Sequence, residues 1–307
     1  MNSLLKNKYF ACFGAILCTA LWGTAFPFIK LSYDTFNIVS KDVFQKLFLA
    51  GIRFTFAGVL VLLAGLVFYK KLYIIKKQDI MPVVALGLVQ TTFQYLFSYI
   101  GVGMTSATNT SIISGTASLF SVIIASFVFK SDKLGFLKIL GCIIGFWGIV
   151  SINISNITSF DVLFAGDFLV LLSAVSGAGG NVISKVVVKN RNVILTTGWQ
   201  LFLGGFVLLL ISFIFGGKVN LCNVKGLLIL LWLSFVSAVG FLLWTALLRY
   251  HSVSKITIFN MLVPIFGTIW SGILLKEDII KWENLLALVL VSLGIVFVNV
   301  KESKNGN

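Results

Sequence analysis

Apolar runs of roughly 20 residues recur along the whole chain, at 9–31, 47–69, 80–103, 107–129, 134–154, 163–187, 194–215, 226–248, 253–275 and 285–300, parted by short polar connectors. A helix rises about 1.5 Å per residue, so each run can cross a hydrocarbon layer about 30 Å thick. The runs show no period-two alternation, the mark of a barrel strand, and lipid offers no partner to backbone groups outside a helix or a closed barrel. The pattern therefore predicts an all-α polytopic membrane protein with ten transmembrane helices. Lys6 and Lys8 before the first run mimic the flank of a signal peptide, but that run continues past Phe28 and reads as a retained span. The longest connector, 32–46, leaves no room for a soluble domain.

Composition agrees: 58% of the 307 residues are hydrophobic and 11% charged, with a mean hydropathy of +1.03. Soluble domains carry about 45–50% apolar and about 25% charged residues. The net charge of +14 lies in short lysine clusters between the runs rather than on one basic face, and no nucleic-acid-binding motif accompanies it, so no nucleic-acid partner is expected. With an even number of spans both termini share a side; sixteen of the 24 basic residues fall there, seven fall opposite, and Arg53 lies within a span. The positive-inside rule then puts both termini in the cytoplasm of a multi-pass cell-membrane protein, with 301–307 as a short polar tail. Cys12, Cys18, Cys142 and Cys222 form no C-x-x-C pair and His251 is the sole histidine, so no metal, redox role or cofactor is expected.

The chain also resembles itself. A shift of 146 residues lays Ser106 on Ser252, Phe120 on Phe266, Lys130 on Lys276, Asp132 on Asp278, and Gly148 and Asn153 on Gly294 and Asn299, without a gap. Slightly different shifts pair Lys30 with Lys185 and Arg53 with Gln200. Two units of five spans follow, 9–154 and 163–300. An odd number of spans makes the second enter the membrane inverted, the architecture in which two halves exchange conformations around a midplane site.

The motifs W-G-T-A-F-P-F-I-K at 22–30, I-R-F at 52–54, W-T-A-L-L-R-Y-H-S at 244–252 and N-M-L-V-P-I-F-G-T-I-W-S-G-I-L-L-K-E-D at 260–278 resemble those of the drug/metabolite transporter superfamily, in its ten-helix branch with two EamA-type domains. The resemblance covers nearly the whole chain. It implies a basket of helices around a central cavity and the export or exchange of a small metabolite, often an amino acid or related compound. One departure is Ser118, where the family's fourth helix commonly has a proline; its repeat partner Pro264 is kept.

Polar groups within apolar spans are costly and need partners, which makes them the first candidates for substrate contact. They are Gln90 and Gln94, four apart on one face of the third span and next to Tyr95, with Asn109 and Thr116 on the fourth, Asn181 on the sixth, Gln200 on the seventh and Asn260 on the ninth. The same amides can instead bridge helices. Trp22 and Trp244 lie well inside their spans, away from the interfaces that tryptophan usually marks, and each offers a flat apolar face and one donor. Gly179 and Gly180 permit close packing or flexing of the sixth span, and Pro264, which lacks an N–H, predicts a kink in the ninth as a hinge or gate. Arg53 is expected to snorkel outward or bind a carbonyl, with a substrate carboxylate as the alternative. His251 is expected at the cytoplasmic interface.

No aspartate or glutamate lies near the centre of a span, which argues against a buried carboxylate relay and against a permanently cationic substrate. Enzyme motifs such as G-x-S-x-G and H-E-x-x-H are missing. The expected partners are a small-molecule substrate and membrane lipid. Efflux of lipophilic drugs, a channel and a non-transporting membrane scaffold are the alternatives.

Overall fold

The computed structural model describes residues 2–39, 42–102, 104–105, 107–153, 164–275 and 282–300. Among them every regular element is helical, without a strand. A one-turn helix, Asn2–Lys6, precedes α1 (Lys8–Thr35), α2 (Val43–Tyr69), α3 (Lys77–Val102), α4 (Ala107–Val128), α5 (Phe136–Asn153), α6 (Phe164–Lys189), α7 (Val193–Ile214), α8 (Val224–Tyr250), α9 (Val253–Leu275) and α10 (Trp282–Asn299). Eight are long and apolar enough to cross a membrane, while α4 and α5 contribute shorter apolar stretches, Ile113–Val128 and Phe136–Ser151. Lys276 and Asp278 of the repeat register, and the tail at 301–307, lie outside the described residues.

Local chemistry sets the helix ends. Asn7, Asp42, Asn192 and Asn223 cap the first turns of α1, α2, α7 and α8 with their side-chain oxygens. The first span runs on to Thr35, past the expected 31, because Ser32 and Thr35 turn their hydroxyls back onto the Ile29 and Leu31 carbonyls at 2.7 Å each and so ride within the helix. After α7 the backbone turns at Gly216 with φ +81°, a conformation glycine adopts without strain.

Packing follows glycine seams. Across α2 and α7, Gly51 abuts Leu209 while Gly198 abuts Leu62, and Gly58 abuts Phe202 while Gly205 abuts Thr55. Residue numbers rise on one helix as they fall on the other, so the pair is antiparallel. Across α5 and α10, Gly148 abuts Ala287 and Val291, while Gly294 abuts Gly141 and Gly145. Hydrocarbon gives helices no hydrophobic reason to associate, so close backbone approach at small residues takes over that work. Around these seams α1 packs on α8 and α9, α6 on α3 and α4, α2 on α8, and α3 on α7. Large apolar side chains such as Phe68, Phe127, Phe213 and Leu228 point outward, as a lipid-facing surface requires.

Charges lock one end of the bundle. Asp132, just beyond α4, holds the Lys138 ammonium at 2.7 Å and accepts the Ser254 N–H at 3.0 Å, which ties it to the start of α9. Lys185 near the end of α6 donates to the Leu248 and His251 carbonyls at the end of α8, and Arg191 pairs with Asp79 at 2.8 Å. His251 is half-buried here, its Nε2 2.8 Å from the Leu5 carbonyl, so the ring joins the N-terminal helix to α8.

The seams predict a stability contrast. A Cβ at Gly58 would lie 2.4 Å from Phe202 N, whereas one at Gly179 meets nothing nearer than 3.8 Å. Gly58→Leu is expected to lower stability by about 1–3 kcal/mol, and Gly179→Ala to hold or raise it by up to about 1 kcal/mol. Thermal unfolding of the detergent-solubilised proteins checks both.

Candidate substrate-binding site

Four helices meet at Asn181. Its Oδ1 accepts the Trp244 indole N–H from α8 at 3.0 Å and the Gln90 amide from α3 at 3.3 Å, and its Nδ2 donates to Ser121 Oγ of α4 at 3.4 Å. An indole nitrogen can only donate, so the atom facing it must be the amide oxygen, and this fixes the orientation of the whole group. Asn181, Gln90, Ser121 and Trp244 are all buried.

Local sequence makes this meeting possible. A Cβ at Gly180 would lie 2.6 Å from Gln90 Cβ, and one at Gly177 would lie 2.9 Å from the Gln94 side-chain amide, so the small residues of α6 admit the polar face of α3. α6 runs unbroken from Phe164 to Lys189 through these glycines. On the other partner, α3 widens into a π-helical stretch at Leu88–Phe93, a form that often accompanies functional sites. Ser176 and Ser173 of α6 donate to the Val89 and Gln94 carbonyls at 2.7 Å each. Thr91 donates to Gln200 Oε1 of α7 at 3.2 Å, and Thr92 to the Gly204 carbonyl at 3.0 Å. Gln90 and Gln94 thus share the face that meets α6.

Some buried polar atoms here have no partner among the described residues: Gln90 Oε1, Trp22 Nε1 and Gln200 Nε2. Each unpaired buried group costs about 1–3 kcal/mol, so a cluster of them calls for an explanation. An aromatic ladder leads away from the polar meeting point. Ring centroids are 5.0 Å apart from Trp244 to Trp22, 5.4 Å from Trp22 to Phe241, 6.2 Å from Phe241 to Phe54, 4.3 Å from Phe54 to Tyr95 and 6.5 Å from Tyr95 to Tyr99. Gly240 gives the Trp22 indole its room, since a Cβ there would lie 2.4 Å from Nε1.

The structure therefore brings Trp22, Gln90, Asn181 and Trp244 together, with Gln94 and Tyr95 beside them on α3. Thr116 is half-buried and spends its hydroxyl on the Ile113 carbonyl of its own helix. Asn109 lies on α4, but its side chain is outside the described residues. Asn260 is half-buried in a 3₁₀ turn, Ile258–Met261, that interrupts α9 one turn before Pro264. Pro264 has no N–H to offer the Asn260 carbonyl, which accounts for the irregularity there. Ser118 donates to the Thr257 carbonyl at 3.0 Å and so ties α4 to α9.

Arg53 does not snorkel. It is 5% exposed, with Nε 2.7 Å from Ser237 Oγ of α8 and the guanidinium 5.0 Å from the Phe54 ring. Ser237 and that ring face supply the contacts that hold it inside. Ser121, Ser173, Ser176, Thr91 and Thr92 were not among the expected site residues, because single hydroxyls are common in any helix; the one available signal was the polar triplet Gln90, Thr91, Thr92 inside an apolar run.

Comparison with known proteins gives this arrangement a context. Residues 9–154 and 164–300 each match the EamA-like transporter family. An uncharacterized transporter of Archaeoglobus fulgidus is 27% identical over 92% of this chain and 96% of its own. The probable amino-acid metabolite efflux pump of Salmonella typhimurium is 24% identical over 94% of both chains. A WAT1-related chloroplastic protein of Arabidopsis thaliana is 28% identical over 71% of this chain, which spans 54% of that relative's length. One crystal structure, 16% identical in sequence, superposes with a TM-score of 0.78 over 95% of this chain and 98% of its own, so the two share a fold. The motifs, the helical architecture and the two matched segments agree: this chain belongs to the EamA-like transporter family of membrane transporters.

Proposed function

We propose that the protein is an alternating-access carrier with ten transmembrane helices. It exports or exchanges a small organic metabolite, an amino acid or a related compound, across the cell membrane, with both termini in the cytoplasm. The observation that carries this reading is the Asn181 cluster, a buried hydrogen-bonded junction of α3, α4, α6 and α8 with unpaired amide and indole atoms beside it. Trp22, Gln90, Gln94, Tyr95, Asn181 and Trp244 form the proposed substrate wall, and Asn109, Thr116 and Asn260 are further proposed contacts.

The seams support an inverted repeat of 9–154 on 163–300. A shift of 147 residues turns the Gly51–Leu209 contact into Gly198–Leu62 and Gly58–Phe202 into Gly205–Thr55; a shift of 146 does the same for Gly148–Ala287 and Gly294–Gly141. Two antiparallel pairs related in this way allow the halves to exchange conformations about a central site. Gly179, Gly180 and Pro264 are the proposed flexing points, since glycine and proline both weaken the restraint on a helix at that position.

The relative named for amino-acid metabolite efflux supports the substrate class. Amide and indole groups suit a compound with its own donors and acceptors, whereas a lipophilic drug would take apolar walls.

Two experiments test the proposal. Cells expressing the protein should enrich an amino acid or related metabolite in the medium, measured by mass spectrometry, and an Asn181→Ala, Gln94→Ala double variant should lose most of that enrichment. Equal export by both would remove the two amides as determinants. Trp244→Phe keeps the ring packing but strips one donor from Asn181, a loss of about 1–3 kcal/mol. It should weaken half-saturation of exchange in proteoliposomes by about 5-fold or more, and an unchanged value would contradict the site.

A further inference from the structure

Arg53 is a buried cation whose charge no carboxylate among the described residues matches. Asp79 is paired with Arg191 and Asp132 with Lys138, and Lys185 rests on two carbonyls. Among the described residues no carboxylate reaches Arg53. Among the described residues its hydrogen bond runs from Nε to Ser237 Oγ, and Ser237 spends its own proton on the Leu233 carbonyl at 2.9 Å, so the hydroxyl oxygen is held as an acceptor for Nε. Phe54 covers one side of the guanidinium, and the Tyr33 and Tyr95 side chains are within electrostatic reach. Among the described residues no hydrogen bond engages Nη1 or Nη2, one edge of a rigid planar fork.

A lysine in such a place can shed its proton, but a guanidinium cannot. A permanent buried charge without a counter-charge is strongly unfavourable, and it persists where it serves a partner from outside the chain. The open fork matches the two oxygens of a carboxylate. From Arg53 the aromatic ladder of Phe54, Phe241, Trp22 and Trp244 runs to Asn181, which gives a bound molecule an apolar body between an anionic end and a hydrogen-bonding end.

We propose that Arg53 is a carboxylate-binding subsite, and that the ligand is a small monocarboxylate or amino acid with an apolar or aromatic body. Ser237 positions the guanidinium and Nη1 and Nη2 hold the two oxygens. The assignment rests on the transport reading for its purpose, and on Arg53's own surroundings for its chemistry.

The test is thermal unfolding of the full chain in lipid nanodiscs, for wild type and Arg53→Met. The probes are phenylalanine against phenylalaninamide and 3-phenylpropionate against 3-phenylpropionamide. The carboxylates should raise the unfolding temperature of the wild type and the amides should not. Arg53→Met should weaken the carboxylate response at least about 30-fold. Without ligand it should unfold at a higher temperature than the wild type, because the unmatched charge is gone. A silent carboxylate series, an equal response to the amides, a response that survives in Arg53→Met, or an unliganded Arg53→Met less stable than wild type would each overturn the subsite. The last result would make Arg53 a structural tie between α2 and α8. Counterflow of the same compounds in proteoliposomes separates the two readings. Carboxylate stabilisation without counterflow keeps the subsite and removes transport, whereas counterflow indifferent to Arg53→Met removes the subsite alone.

Discussion

Within a hydrocarbon layer a polar group finds partners inside the protein or goes without, and the centre of this molecule is organised by one side chain under that constraint. Asn181 serves three helices besides its own. Its oxygen takes the Trp244 and Gln90 donors and its nitrogen meets Ser121. Because that oxygen is shared by two donors while Gln90 Oε1 and Trp22 Nε1 remain unpaired, the junction is well oriented yet incompletely satisfied. A fully satisfied network rigidifies a core; this one keeps hydrogen-bonding capacity beside an aromatic wall.

Glycine supplies the second physical theme. Gly177 and Gly180 let α3 approach α6 at the junction, while Gly58, Gly205, Gly148 and Gly294 build the two antiparallel seams away from it. Seams of this kind hold helices by backbone contact rather than by interlocked large side chains, which suits the proposed movement of the two halves as bodies. Asp132, Lys185 and Arg191 add charged ties at one end, and the proposed opening at that end would have to break them.

Much of this was legible in the sequence because membrane helices are specified by length and polarity. The apolar runs at 194–215 and 253–275 became Val193–Ile214 and Val253–Leu275 with little adjustment. The rarity of amides within the apolar runs at 80–103 and 163–187 led to Gln90 and Asn181, and the interior position of Trp22 and Trp244 led to the ladder. Partner choice was not legible. Asn181 bonds residues 60 to 91 positions away in sequence, and nothing in a linear pattern separates that use from Thr116, whose hydroxyl folds onto its own helix. The π stretch at Leu88–Phe93 was equally hidden, since it answers to the α6 and α7 groups that take up its polar side chains and carbonyls. The burial of Arg53 was hidden for a related reason: the length of its side chain allows escape toward an interface, and only the position of Ser237 on α8 shows that it stays inside.

Central to the proposed transport is that the face of α3 beside Asn181 lines a cavity open to each side of the membrane in turn. The most direct measurement places a single cysteine by Gln94→Cys in a chain whose Cys12, Cys18, Cys142 and Cys222 have been replaced, and labels it with a membrane-impermeant thiol reagent from either side. Labelling from both sides, with substrate slowing each, is the predicted result. A cysteine that reacts from neither side, or from one side alone under every condition, would contradict the claim.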